Sequence, residues 1–137
     1  MESYLGKGVV LVDHRSGAAH ERDGILAAAA ARAGALRASG VSRLDRVVIS
    51  HGSDSSVLAD LMAIWTLGAA AVMVSRTITP AEKDNVLKAT RAKAWIGEAA
   101  PDGVAALTPA AMQAEKAVRL APAAGLDDPA LIMMTSG

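Results

Sequence analysis

The residues best suited to chemistry in this sequence are Thr135, Ser136 and Gly137, which follow the apolar run Leu131-Ile132-Met133-Met134. Two hydroxyls and a glycine after a buried strand can offer backbone amides to a phosphate and let it approach closely. The segment has no lysine to offset phosphate charge, and the same residues also suit an ordinary strand-to-loop transition. The histidines are His14, His20 and His51, and no two stand at His-x-x-x-His metal spacing, so they read as surface or turn residues. His51 beside Asp54, Ser55 and Ser56 invites a hydrolase triad, but a Gly-x-Ser-x-Gly elbow is absent. Capping of a following helix explains Ser53 and Asp54 better. Gly6-Lys7-Gly8 precedes a strand instead of following one, so it is no dinucleotide fingerprint. The residues alone assign no catalytic and no metal-binding side chain.

Composition narrows the classes further. The chain has 137 residues, enough for one domain with a modest core. Hydrophobic residues make up 52% but aromatic ones only 2%, so Ala, Val, Leu, Ile and Met must fill the core around Trp65 and Trp95. Lys+Arg and Asp+Glu both count 14, which leaves no basic footprint for nucleic acid or an anionic membrane. Arg15, Arg22, Arg32, Arg37, Arg43 and Arg46 are dispersed and read as solvated. The absence of cysteine excludes disulfides, thiolate metal sites and cysteine nucleophiles. Neither a secretory leader at Met1–Lys7 nor a run long enough to span a bilayer is legible, so a soluble, cytoplasmic protein is expected.

The elements that must position these residues alternate. Gly8–Asp13 and Ala18–His20 read as a hairpin, and residues 21–39 as a helix that Gly40 closes. Strands are expected at 46–50, 70–74, 93–96 and 131–134, with a short one at 104–107, and helices near 54–67 and 80–89. Thr79-Pro80-Ala81-Glu82 has the form of a capping box with proline at the first helical position. Thr108-Pro109 starts another short helix, and residues 121–125 read as a linker. Trp65, Met62 and Met73 are expected in the core. Solidly apolar strands alternating with helices predict an α/β fold, a mainly parallel sheet with helices on both faces.

In this order the pieces Leu36–Val41, Asp45–Ile49, Leu61–Ala70, Ala92–Ile96 and Asp128–Gly137 resemble the amino-terminal part of the adenylate-forming ligase superfamily. That superfamily comprises acyl-CoA synthetases, peptide-synthetase adenylation domains and luciferases. Thr135, Ser136 and Gly137 then resemble the start of its phosphate loop. The sequence departs from the family at Leu44, where Gly is usual, at His51-Gly52-Ser53, which replaces a Pro-Asn turn, and at Val74-Ser75-Arg76.

The resemblance implies a partial amino-terminal subdomain over residues 1–137, with residues 1–20 a hairpin and 21–137 strand–helix units, cut inside the phosphate loop. It implies a parent that joins a small carboxylate to ATP with Mg²⁺, then passes the acyl group to the thiol of CoA or of a carrier protein's phosphopantetheine. The fragment is expected to be inactive alone and to need the remainder of the ligase or a complementary chain. The alternative is a stand-alone α/β interaction module that pairs with a second chain.

Overall fold

A computed structural model describes residues 8, 10–52, 54–112, 119 and 125–134. Two short strands, β1 (Val10–Val12) and β2 (Ala19–Glu21), form an antiparallel hairpin. Asp13 closes its turn by accepting bonds from the backbone amides of Arg15 and Ser16. The chain then enters α1 (Arg22–Ala38), whose buried stripe is rich in alanine, the best helix former. The helix stops at Gly40, whose φ of +89° allows the Val41 amide to reach the Leu36 carbonyl and the Gly40 amide to reach Arg37.

The remaining elements in chain order are β3 (Arg46–Ile49), α2 (Val57–Thr66), β4 (Ala70–Met73), α3 (Pro80–Thr90), β5 (Ala94–Ile96), β6 (Ala105–Leu107), α4 (Pro109–Met112) and β7 (Leu131–Met133). The strands form a five-stranded sheet in the order β6-β5-β3-β4-β7, and every neighbouring pair is parallel. This is the expected α/β architecture. Alternation along each strand divides the core between two faces. Val47, Ile49, Ala71 and Ile96 pack with Leu36 and Ile64 on the α1–α2 side. Val48, Val72 and Trp95 pack with Val86 on the α3 side, and Ile132 joins them partly buried.

Helix α3 begins as its sequence demands. The Thr79 hydroxyl accepts from the Glu82 amide at 3.2 Å, and the Glu82 carboxylate accepts from the Thr79 amide at 2.6 Å. Helix α2 begins later than expected, at Val57 instead of residue 54. Asp54 is not its cap. The Asp54 carboxylate instead accepts from the Ser56 amide at 2.9 Å and the Ser56 hydroxyl at 2.7 Å, which folds residues 54–56 into a turn ahead of the helix.

Trp95 is fully buried, and its indole N–H donates to the Ser50 hydroxyl at 2.8 Å. Gly97 makes room for that hydroxyl, because a Cβ there would lie 2.3 Å from Ser50 Oγ. Trp65, expected in the core, is only half-buried. Its indole N–H donates 2.8 Å to the Ala130 carbonyl, so the ring anchors the segment entering β7. Arg43 reinforces the same segment through a two-pronged pair with Asp128 at 2.8 and 2.9 Å.

Leu44 has φ +69° and is exposed, in the left-handed region where the resembling family carries glycine. A side chain costs ~1–2 kcal/mol there, partly offset by glycine's extra freedom when unfolded. Leu44→Gly should therefore raise stability by about 0.5–1 kcal/mol in chemical denaturation. A loss of stability would show that the leucine side chain has a packing role.

Candidate functional site at the carboxyl edge of the sheet

Parallel α/β sheets present their ligand sites where the carboxyl ends of the strands open into loops. Here that edge is built from Ser50–Gly52 after β3, Val74–Arg76 after β4, Gly97–Glu98 after β5 and Met134 after β7. Thr135, Ser136 and Gly137, the phosphate-binding residues expected from sequence, lie outside the described residues. The described chain reaches Met134, which borders a cavity of about 390 Å³ together with Val74, Ser75, Asn85 and Val86. The cavity therefore lies between the ends of β4 and β7 and the side of α3.

Two cations at this edge are tied to backbone carbonyls. Arg76 donates from Nη2 at 2.9 Å and from Nε at 3.3 Å to the His51 carbonyl, linking the loops after β3 and β4. Lys83 Nζ donates to the Ala99 carbonyl at 2.7 Å, which joins α3 to the loop after β5.

A buried charge cluster stands just behind the loop after β3. Arg32 of α1 donates from Nη1 to Asp60 Oδ1 of α2 at 2.6 Å and to the Ser56 carbonyl at 2.7 Å. His51 places Nε2 against the other oxygen of Asp60 and Nδ1 3.2 Å from Asp54 Oδ2. Arg32 is 5% exposed and Asp60 fully buried, so the reading of Arg32 as a solvated surface charge is corrected. His51 is likewise no ordinary turn histidine. The bond that its ring makes to the Asp60 carboxylate lifts its pKa above 6.5, against the opposing effect of burial. At Asp54 burial works upward, but bonds from Ser56 and the charge of His51 bring the carboxyl below 3.8 overall.

Sequence reasoning missed this cluster, although a signal was present. Arg32 lies on the stripe Ile25, Ala29, Ala33, Leu36, and Asp60 interrupts the apolar helix Val57–Thr66. Charges on two apolar helix faces need each other. Among the described residues no group of three or more His, Asp or Glu is arranged to hold a metal ion, and no helix is long and apolar enough to cross a membrane.

No curated protein matches the sequence. In fold, the chain is similar to a Mycobacterium tuberculosis fatty acyl CoA synthetase at 21% identity and TM-score 0.79, over 95% of this chain and 30% of that one. It is similar to the Klebsiella oxytoca NpsA N-terminal subdomain in complex with 3-hydroxyanthranilyl-AMSN, at 23% identity and TM-score 0.80, over 99% and 36%. A third is NpsA-ThdA, an artificially fused adenylation–PCP di-domain from Klebsiella oxytoca, at 22% identity and TM-score 0.76, over 98% and 27%. The chain thus spans about a third of the length of these structures. Its parallel sheet and flanking helices are those of the amino-terminal subdomain of adenylate-forming enzymes. Residues 24–137, most of the sequence, match the family described as AMP-binding enzyme, and this chain belongs to that family.

Proposed function

We propose that this chain forms the amino-terminal part of an AMP-forming carboxylate ligase, with Thr135, Ser136 and Gly137 opening its phosphate loop. The observation that carries the reading is the family match over residues 24–137, which runs through those three residues. In the proposed reaction a carboxylate oxygen attacks the α-phosphorus of ATP. Pyrophosphate leaves and an acyl-adenylate forms. A thiol of CoA, or of a carrier protein's phosphopantetheine arm, then takes the acyl group and AMP departs. The fatty acyl CoA synthetase and the adenylation–PCP di-domain among the similar folds support these two acceptors.

The chain's part in this reaction is scaffold and the first phosphate contacts. Backbone amides and hydroxyls at 135–137 would face developing charge on the phosphates, where fixed dipoles act most strongly. Mg²⁺ would offset phosphate charge when bound. The acyl pocket and the remaining catalytic groups belong to the remainder of the ligase, or to a complementary chain, in a cytoplasmic enzyme. Carboxylate-dependent exchange of pyrophosphate into ATP tests the proposal.

A second reading, a stand-alone α/β interaction module, draws support from the firm docking of β7 by Trp65 and Arg43. The two readings differ in what they expect of the sheet edge. Leu131 and Met133 on the outermost strand are 47% and 65% exposed, and Met134 is exposed beside them. An apolar strand edge of this kind recruits partners or aggregates. The ligase reading expects the isolated chain to bind a hydrophobic dye and to self-associate in sedimentation. A compact, dye-silent monomer over a broad concentration range would favour the module.

A further inference from the structure

We propose that His51 is a pH-sensitive latch, an imidazolium clamped between Asp54 and Asp60 that holds the β3–α2 loop, and Arg76 with it, in place at the carboxyl edge of the sheet.

The geometry of the ring carries the argument. Nδ1 faces Asp54 Oδ2 at 3.2 Å and Nε2 faces Asp60 Oδ2. A neutral imidazole has one N–H, so in either tautomer the other nitrogen would turn a lone pair toward a carboxylate oxygen. Both contacts are attractive only when both nitrogens carry protons. The second oxygen of each carboxylate is already engaged, Asp60 Oδ1 by Arg32 and Asp54 Oδ1 by Ser56.

Arg32 comes from α1, Asp60 from α2, Asp54 from the loop itself, and Arg76 from the β4–α3 loop onto the His51 carbonyl. From the hairpin, Asp13 hydrogen-bonds Ser55. Two cations, Arg32 and His51, thus balance two carboxylates in a cluster whose central member, Asp60, is fully buried. Loss of the His51 proton leaves an unbalanced negative charge there, which is costly away from water.

The sign of the pH dependence follows. With the folded pKa of His51 above 6.5, the latch contributes fully below pH 6.5 and is lost as pH rises through the folded value. The contribution of Asp54, whose carboxyl is held below 3.8, is in turn lost as pH falls through its folded value. Opening would free the loop wall at Asp54 and Ser55, which borders a cleft of about 360 Å³ against Asp13 and His14 of the hairpin. It would also remove the fixed acceptor of Arg76.

The test is nitrogen-15 NMR of the histidine rings of this chain from pH 5 to 9. The latch requires both His51 ring nitrogens to be protonated at pH 6.5, with a midpoint above that of a free histidine side chain. The backbone amides of Asp54, Ser56 and Arg76 should shift along the same curve. Asp54→Asn should move the midpoint down, and His51→Gln should flatten the pH response of those amides. A singly protonated ring at pH 6.5, or a midpoint at or below that of a free histidine, would overturn the proposal. Amides that ignore the transition would also overturn it. Should His51→Gln fail to fold, the wild-type titration still decides.

Discussion

Asp60→Ala should destabilise the fold by about 3–5 kcal/mol, a large share of the roughly 5–15 kcal/mol that holds a domain together. The reason is what remains. Arg32 is 5% exposed and would keep only the Ser56 carbonyl as acceptor, while His51 would lose the carboxylate on Nε2. An unpaired buried guanidinium costs far more than the ion pair itself contributes. The double variant Arg32→Met with Asp60→Leu removes both charges and fills the space with apolar groups. It should therefore recover most of the loss, to within about 1–2 kcal/mol of wild type. Urea denaturation of the three proteins measures this. An Asp60→Ala midpoint close to wild type would mean that the cluster contributes little to holding α1 against α2.

Much of the architecture was legible because local rules and tertiary structure agree. The capping box at Thr79 and Glu82 forms as written, and the four apolar runs expected as strands lie in the parallel sheet within about one residue of their expected limits. The errors occur where a distant partner decides. Asp54 has the right chemistry for a helix cap, but Ser56 and His51 claim its carboxylate and the helix starts three residues later than expected. Trp65 does pack against the core, but only half-buried, because its N–H donates to Ala130, 65 positions along the chain. Arg32 reads as solvated in the sequence because its partner, Asp60, lies 28 positions away on another helix. The sign of that pairing lay in comparing the two helices, since Arg32 and Asp60 each interrupt an apolar face. Leu44 is instructive in the other direction. Its departure from the family's glycine marks a backbone that adopts the left-handed conformation all the same.

The candidate site was only half legible. Its place at the carboxyl edge follows from the order of the strands. The charges that brace the loop after β3 do not, because they arise from three separate segments.

The central proposal is that this chain belongs to an AMP-forming ligase, in which it supplies scaffold and the first phosphate contacts and works together with further groups of that enzyme. Positioning and charge stabilisation together account for most of the rate in such transfers, so an incomplete set of groups should lose many orders of magnitude. The direct measurement is ATP–pyrophosphate exchange across a panel of fatty, aryl and amino acids. It is made on the purified 137-residue chain and on a polypeptide in which the chain is joined to the remainder of the ligase. The account predicts carboxylate-dependent exchange by the joined polypeptide and none above background by the chain alone. Robust exchange by the chain alone, free of contaminating ligase, would contradict it.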